Sequence, residues 1–328
     1  MIKVFFLNRS HTPVADESSP IATAIKQLWQ TDKAINLDCT IEDADALILQ
    51  ENISFKDYKY IKLLKNDPVF KQYAHKIFTI NYDDGATGVL KGAYVCLKRS
   101  RFDERFHASV PYLEFANNLI TKQAVKTEPA FLATWRGNTK SNSVRSKIVE
   151  LYANDKAFDV YTTNSWFNHS KDEKQAYVDS LLNAKFALAP AGWAPTTFRL
   201  YESMALGRCP VIIADEFVPP VGPDWNSFSI SVPENKIESL KQVLQEKEPQ
   251  YEQLGNRAAA VWEQYFAAPN GIKYYADQLM RLIKSSPADM SVQQEFNRWG
   301  SSKMYHSNGW TLSQRLRRKL KKLRLFSK

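Results

Sequence analysis

The chain has 328 residues, 44% of them hydrophobic and 24% charged, with a formal charge of +9. That apolar fraction is ordinary for a soluble protein and excludes wholesale disorder or a fibrous repeat, and the length suits two domains of about 150 residues. Three widely spaced cysteines, Cys39, Cys96 and Cys209, give neither a disulfide framework nor a metal-ligand spacing, which favours a reducing compartment.

The opening MIKVFFLNRS fits a first buried strand better than a secretion signal, and no run approaches the roughly 18 to 20 apolar residues that span a bilayer. The first half then alternates. IKVFFLN reads as a strand, Ile21 to Gln30 as a helix, DALILQ as a strand, Tyr58 to Val69 as a helix, and KIFTIN and AYVCL as strands. A polar stretch after Pro111 reads as helical and ends near Glu128, the expected domain boundary.

The rhythm then restarts. FLATWRG is a strand and turn, Ser143 to Ala153 a helix, FDVYTT a strand, Lys174 to Ala184 a helix and KFALAP a strand. A loop and a helix through Met204 follow, then the strands CPVIIA and FSISV and a helix over Ile237 to Gln245. From Pro249 to Lys284 the pattern is helical, with a stripe of Tyr251, Trp262, Tyr265, Phe266 and Tyr275 best read as core packing. Such alternation predicts an α/β protein of two mostly parallel, doubly wound domains, residues 1–128 and 129–290, with an extension over 291–328. Ligands of such folds bind beyond the carboxyl ends of the strands, which here would line a central crevice.

The last fourteen residues, RLRRKLKKLRLFSK, carry eight Lys or Arg and no acid. As a helix they would gather Leu316, Leu320 and Leu323 into a stripe suited to an anionic membrane surface; a solvated tail or a helix packed on its own domain is the alternative. The aromatic residues do not interleave with basic ones as in nucleic-acid modules, so no nucleic-acid partner is expected.

Three loops carry candidate chemistry. In PAGWAPTTFRLYE, Gly192 permits a tight turn, and Thr196 or Thr197 can cap a helix whose N-terminus suits phosphate. Arg199 and Glu202 lie one turn apart, the arginine suited to a diphosphate and the glutamate to ribose hydroxyls; a surface salt bridge is the plain alternative. In TWRGNTKSNSVRSK, Arg136, Gly137 and Arg145 surround a polar turn that could meet negative charge or be simply basic. In NYDDG, Asp83 or Asp84 could act as a general base. His107 and His11 are further base candidates, although a lone histidine is more often structural. No metal set completes around the paired acids. No GxGxxG, P-loop, GxSxG or HExxH motif is present, against nicotinamide, NTPase, hydrolase and metalloprotease readings.

The succession Pro190 and Gly192, Arg199 and Glu202, Gly207 with Pro210, Val211 and Ile212, Asp215 with Pro219 and Pro220, and Asp224 with Trp225 resembles the carboxy-terminal half of the exostosin family of glycosyltransferases. Arg136, Gly137 and Arg145 resemble the family's Arg/Gly turn more loosely. NYDDG is similar to its His-Asp-x-Gly turn, with Asn81 and Tyr82 replacing the usual lead-in. The resemblance implies a GT-B fold in which residues 129–290 bind a nucleotide-sugar donor, commonly UDP-linked, and residues 1–128 bind a saccharide acceptor. It implies transfer with inversion and without metal or other cofactor, with Arg199, Glu202 and Arg136 holding the donor. A bacterial surface-polysaccharide enzyme is expected, working on lipid-linked saccharide at the inner face of the inner membrane and held there by the basic tail. The alternative is a nonenzymatic nucleotide-sugar or glycan-binding protein of the same fold.

Overall fold

The computed structural model describes residues 1–17, 19–52, 60–121, 128–163, 170–287 and 289–302, with 304, 312, 313, 316 and 320 beyond them. It packs as two units, one of residues 1–108 with 275–328 and the other of residues 109–274.

The first unit is built on β1 (Ile2–Phe6), α1 (Pro20–Gln30), β2 (Ile35–Asn36), β3 (Ala46–Gln50), α2 (Tyr60–Asn66), α3 (Pro68–Tyr73), β4 (Ile77–Asn81), β5 (Lys91–Tyr94) and β6 (His107–Ser109). The sheet order is β2-β1-β3-β4-β5-β6, and the pairs from β2 through to β5 are parallel. Strands covered on both faces read as unbroken apolar runs; Ala46 to Leu49 and Ile77 to Asn81 are buried throughout. Helix α1 starts where Ser19 accepts the Ala22 N–H and Pro20 presets the first turn. Its buried Ile21, Ile25 and Trp29 repeat every four residues, which puts them on one face. Gly92 has φ of +148°, and a Cβ there would collide with the Thr79 backbone, so only glycine lets β5 lie this close to β4.

The second unit contains β7 (Phe131–Gly137), α4 (Ser143–Tyr152), β8 (Phe158–Thr162), α5 (Lys171–Leu182), β9 (Ala184–Pro190), α6 (Phe198–Ala205), β10 (Cys209–Ile213), β11 (Ile230–Ser231), α7 (Leu240–Lys247) and α8 (Tyr251–Val261). Its sheet is parallel throughout, in the order β11-β10-β9-β7-β8. Each sheet starts in the middle, adds one strand on one side and then grows on the other. In the second unit the reversal falls between β7 and β9, and the loops leaving their carboxyl ends diverge there to make the usual ligand position of an open α/β sheet.

The division departs from a boundary at 128 and a separate extension after 290. It falls within α9 (Asn270–Ser285), after which the chain rejoins the first unit. There α10 (Val292–Trp299) is docked by Trp299, fully buried 6.1 Å from the Phe70 ring, and by Glu295, which accepts from Arg298 and from the Trp299 indole N–H. Residues 109–121 go with the second unit, where Tyr112 stacks 4.0 Å from Phe198 and the Asn117 amide donates to the Lys174 carbonyl. The helix expected after Pro111 is absent among the described residues of that stretch; the Asn117 side chain accepts the Leu119 N–H and closes a turn instead. Residues 122–127 lie outside the described residues, as do 53–59 at the start of the expected second helix and most of the basic tail.

Lys91 is buried at the start of β5, where its ammonium donates to the His75 carbonyl and lies 4.6 Å over the Phe78 ring. Burial lowers its pKa from 10.5 to about 8, against the pull of Glu295. The unfolded chain therefore holds more protons than the folded one between pH 8 and 10.5, and stability contributed here rises with pH across that window. Urea unfolding of wild type and Lys91→Met at pH 7.5 and 10.5 is expected to show wild type gaining about 3 kcal/mol relative to the variant at the higher pH.

Candidate functional site

The loops from β7 to α4 and from β9 to α6 are tied together by Arg145. This arginine projects from the first turn of α4, whose N-cap Asn142 accepts the Val144 N–H. Its buried guanidinium donates from Nε to the Ala191 carbonyl (3.0 Å), from Nη1 to that of Asn138 (3.3 Å) and from Nη2 to that of Pro190 (3.5 Å). The Asn142 amide adds a bond to the Gly192 carbonyl at 3.2 Å. A Cβ on Gly192 would lie 2.7 Å from Arg145 Nη2, so the glycine is required for the backbone to lie against the guanidinium. Arg145, expected to contact the donor, instead positions the loops that form the site.

Arg199 occupies the second position of α6. Its Nε donates to the Arg136 carbonyl at 2.8 Å, and the guanidinium carbon lies 5.8 Å over the Trp135 ring. Its two terminal nitrogens make no hydrogen bond among the described residues. A Cβ on Gly137 would strike Nη2, so an alanine there would displace the end of the arginine side chain.

The same loops and strand end carry side-chain donors with no acceptor among the described residues. Trp135 Nε1, Arg136 Nε, Ser141 Oγ and Thr197 Oγ1 are all buried and make no hydrogen bond, although Trp135 is only 1% exposed and Thr197 7%. Buried donors are normally satisfied. Thr197 is the N-cap of α6 yet makes no side-chain cap bond, so the first-turn N–H groups are not closed off by their own cap. Thr196 beside it is also buried. Two loops at a topological reversal thus present an arginine fork, an indole N–H, two hydroxyls and a helix N-terminus, a set that suits a multivalent anion.

The glutamate of the Arg/Glu pair is held by a tyrosine rather than by the arginine. Glu202 is buried and accepts the Tyr177 O–H at 2.5 Å. Burial raises its pKa, opposed by that hydrogen bond and by the Arg199 charge, and burial with the neighbouring carboxylate raises the Tyr177 phenol in turn. Arg136 leans on Tyr161, 5.0 Å from the ring, and its Nη2 lies 3.5 Å from Asp159, which also accepts the Ser180 hydroxyl. Trp135, Ser141, Tyr177 and Asp159 were not singled out from the sequence. Trp135 directly precedes Arg136 in β7 and Ser141 lies in the loop between Gly137 and Arg145, and residue type alone marks neither of them.

In the first unit, the half-buried Asp83 accepts the Gly85 N–H at 2.9 Å, while its own N–H donates to the Asn81 side chain. Asp84 is exposed, with the Cys96 thiol 3.7 Å from its Oδ1. Both acids lie just past β4, at its carboxyl end. His107 does not suit a base. It is buried, its Nδ1 accepts the Asp103 N–H at 3.0 Å, and its Nε2 lies 2.9 Å from the Gly88 carbonyl. Both ring nitrogens are thus committed to backbone, and the imidazole braces the 88–107 loops. His11 likewise accepts the Asn8 N–H through Nδ1.

Fold and site define an α/β protein of two Rossmann-like units, as in GT-B proteins, with a loop pair in the second that carries buried donors without partners among the described residues. The family model of the exostosin GT47 domain matches residues 72–247, and the chain belongs to that family. Among curated proteins it is 32% identical over 110 residues to the probable glucuronosyltransferase GUT1 of Oryza sativa subsp. japonica and 31% identical over 110 residues to the probable beta-1,4-xylosyltransferase IRX10 of Arabidopsis thaliana. Each match takes in 33% of this chain and 24% of the relative, so the chain spans about a quarter of the length of the curated relatives it matches. Among solved structures, TarM aligns with a TM-score of 0.40 at 11% identity, covering 80% of this chain and 58% of that one. MurG of Acinetobacter baumannii aligns at 0.36 and 12%, covering 86% and 100%. Likeness at that level says nothing further of this chain.

Because Arg145 is a structural staple, Arg145→Met is expected to cost about 2 to 4 kcal/mol in chemical denaturation, leaving buried carbonyls without partners. Gly137→Ala, which pushes only against the end of a flexible side chain, is expected to cost under about 1 kcal/mol.

Proposed function

We propose that the protein is a glycosyltransferase that moves a sugar from a nucleoside-diphosphate donor, UDP-linked, to a saccharide acceptor, with inversion and without a metal. The observation that carries this reading is the uncommitted fork of Arg199 over Trp135, on a loop pair whose Trp135 Nε1, Arg136 Nε, Ser141 Oγ and Thr197 Oγ1 are buried donors without a hydrogen-bond partner among the described residues. Family membership supports the same chemistry.

In this reading the diphosphate meets the α6 N-terminus, Thr197 and Arg199, with Arg136 at its flank. The acceptor oxygen forms a bond to the anomeric carbon as the bond from that carbon to the diphosphate oxygen breaks, and the electron pair leaves with the diphosphate. The acceptor proton passes to a carboxylate of the first unit, Asp83 or Asp84. Donors already fixed where negative charge grows need no reorganisation as the bond breaks, which is the main source of transition-state stabilisation in such sites. The Tyr177–Glu202 pair supports α6 and is also the acceptor suited to ribose hydroxyls.

Calorimetry against free nucleoside diphosphates and nucleotide sugars, first with EDTA and then with Mn²⁺, tests this reading. UDP binding in EDTA is expected, weakened at least tenfold in Arg199→Ala, about 1.4 kcal/mol or more. Absence of binding across the panel in both conditions would refute it, and full donor affinity and turnover in Arg199→Ala would remove the phosphate assignment.

The same proposal places the enzyme on an anionic membrane surface, with lipid-linked saccharide in bacterial surface-polysaccharide synthesis as the acceptor. Leu312, Leu316 and Leu320 are 77%, 58% and 58% exposed beside the run of cations, the combination that draws a segment to an interface. No helix among the described residues is long and apolar enough to cross a membrane. Removal of residues 312–328 is expected to abolish co-sedimentation with phosphatidylglycerol vesicles at low salt; unchanged sedimentation would end this part of the reading.

A further inference from the structure

A buried carboxylate stands at the carboxyl end of the first unit's sheet. Glu51 directly follows β3 and is 2% exposed. Gln50 pairs with Ile80 across β3 and β4, so Glu51 and Asn81 leave the sheet side by side, and Thr79 shares the Asn81 face of β4. Three donors converge on the carboxylate. The Tyr60 hydroxyl donates to Oε1 at 2.5 Å, the Asn81 amide donates to Oε2 at 2.7 Å, and the Thr79 hydroxyl lies 3.3 Å from Oε2. Tyr60, Thr79 and Asn81 are themselves buried. Burial, with the Glu51 charge behind it, holds the Tyr60 phenol well above its ordinary range, so that its O–H remains a donor.

We propose that Glu51 is a positioning residue for Asp83, a role that rests on the transferase reading above, in which an acid just past β4 takes the acceptor proton. A carboxylate only accepts hydrogen bonds, so Asn81 turns its NH2 group toward Glu51. The Asn81 Oδ1 then points the other way and accepts the Asp83 N–H at 3.0 Å, while the Asp83 carboxylate accepts the Gly85 N–H at 2.9 Å. The Asn81 amide is therefore set from both ends, by an acceptor at Glu51 and a donor at Asp83. Tyr60, Glu51 and Asn81 are all buried, and a fully bonded chain in such surroundings is stiff. The chain ends on Asp83 rather than Asp84, so Asp83 is the acid of the two that is held for proton transfer. Rate falls steeply when such a group is displaced.

Glu51→Gln, Asn81→Asp and the double variant carrying both are compared with wild type, with thermal melts to show which of them fold. A glutamine has one acceptor oxygen where Tyr60 and Asn81 use two, and an aspartate at position 81 sets two carboxylates face to face. In the double variant the polarity is restored in reverse: the new amide donates to the new carboxylate, which still accepts the Asp83 N–H. Each single variant is expected to speed hydrogen exchange at the Asp83 amide about fivefold or more, and the double variant to return it toward wild type. UDP release from a panel of UDP-hexoses and UDP-pentoses, with an oligosaccharide mixture as acceptor, is expected to follow the same order. There kcat falls about tenfold or more in the single variants with the donor KM unchanged, and recovers in the double. Single variants that unfold beside a double variant that folds show the same coupling. Wild-type exchange at Asp83 in folded single variants overturns the proposal, as does quickened exchange with wild-type turnover, or a double variant that recovers neither. Absence of turnover in wild type would instead tell against the transferase reading, with the exchange measurements still deciding whether Glu51 orients Asp83.

Discussion

One buried guanidinium organises the second unit. Arg145 could not be buried without acceptors for its donors, since an unsatisfied buried charge would cost several kcal/mol. It finds them in three carbonyls from the two loops that part at the reversal of strand order. Its positive charge is thereby spent on backbone, and the loops are held where Gly137 and Gly192 can pack against the guanidinium groups of Arg199 and Arg145. Because this internal bonding is complete, the polar groups around Arg199 can remain without internal partners while the loops stay ordered.

The two arginines illustrate how far sequence carries. Both stand in the first turn of a helix that follows a glycine-containing loop, and both suit an anion by type. Which of them faces a ligand depends on whether carbonyls from a neighbouring loop reach the guanidinium, and that is fixed by the β7–β9 register, which local pattern does not encode. Arg199 was legible because a Pro-x-Gly turn followed by a helix start places it near free amides. Arg145 looked the same and does different work. His107 was ambiguous for a similar reason: only the fold brings the Asp103 N–H and the Gly88 carbonyl to its two nitrogens.

At the level of architecture, parallel strands covered on both faces write themselves as continuous apolar runs, so KIFTIN, KFALAP and CPVII could be read directly. The division between units could not. Its evidence is long-range, in Trp299 packing beside Phe70 and Tyr112 on Phe198, and composition hardly changes at either crossing point. FSISV reads as a full strand but supplies only Ile230 and Ser231 to the sheet, since it forms the edge and little of its length finds a neighbour to pair with.

The charge arrangement at α6 has a further consequence. Glu202 lies one turn beyond Arg199, and an ionised carboxylate fully open to the guanidinium would offset its attraction for an anion. Here the carboxylate is buried, and its hydrogen bond comes from Tyr177 rather than from the arginine. Burial favours the protonated acid, while Tyr177 and Arg199 favour the carboxylate. The guanidinium spends a single N–H on the Arg136 carbonyl, a neutral group. A neutral acceptor fixes the orientation of the arginine without cancelling its charge, whereas an ion pair would have fixed it at the expense of the field. Arg136 differs, since its Nη2 is in ion-pair range of Asp159 at 3.5 Å while its plane rests on Tyr161. Positioning by a carbonyl and a ring face, with Glu202 engaged by a hydroxyl, leaves the positive charge of Arg199 available at the carboxyl ends of β7 and β9.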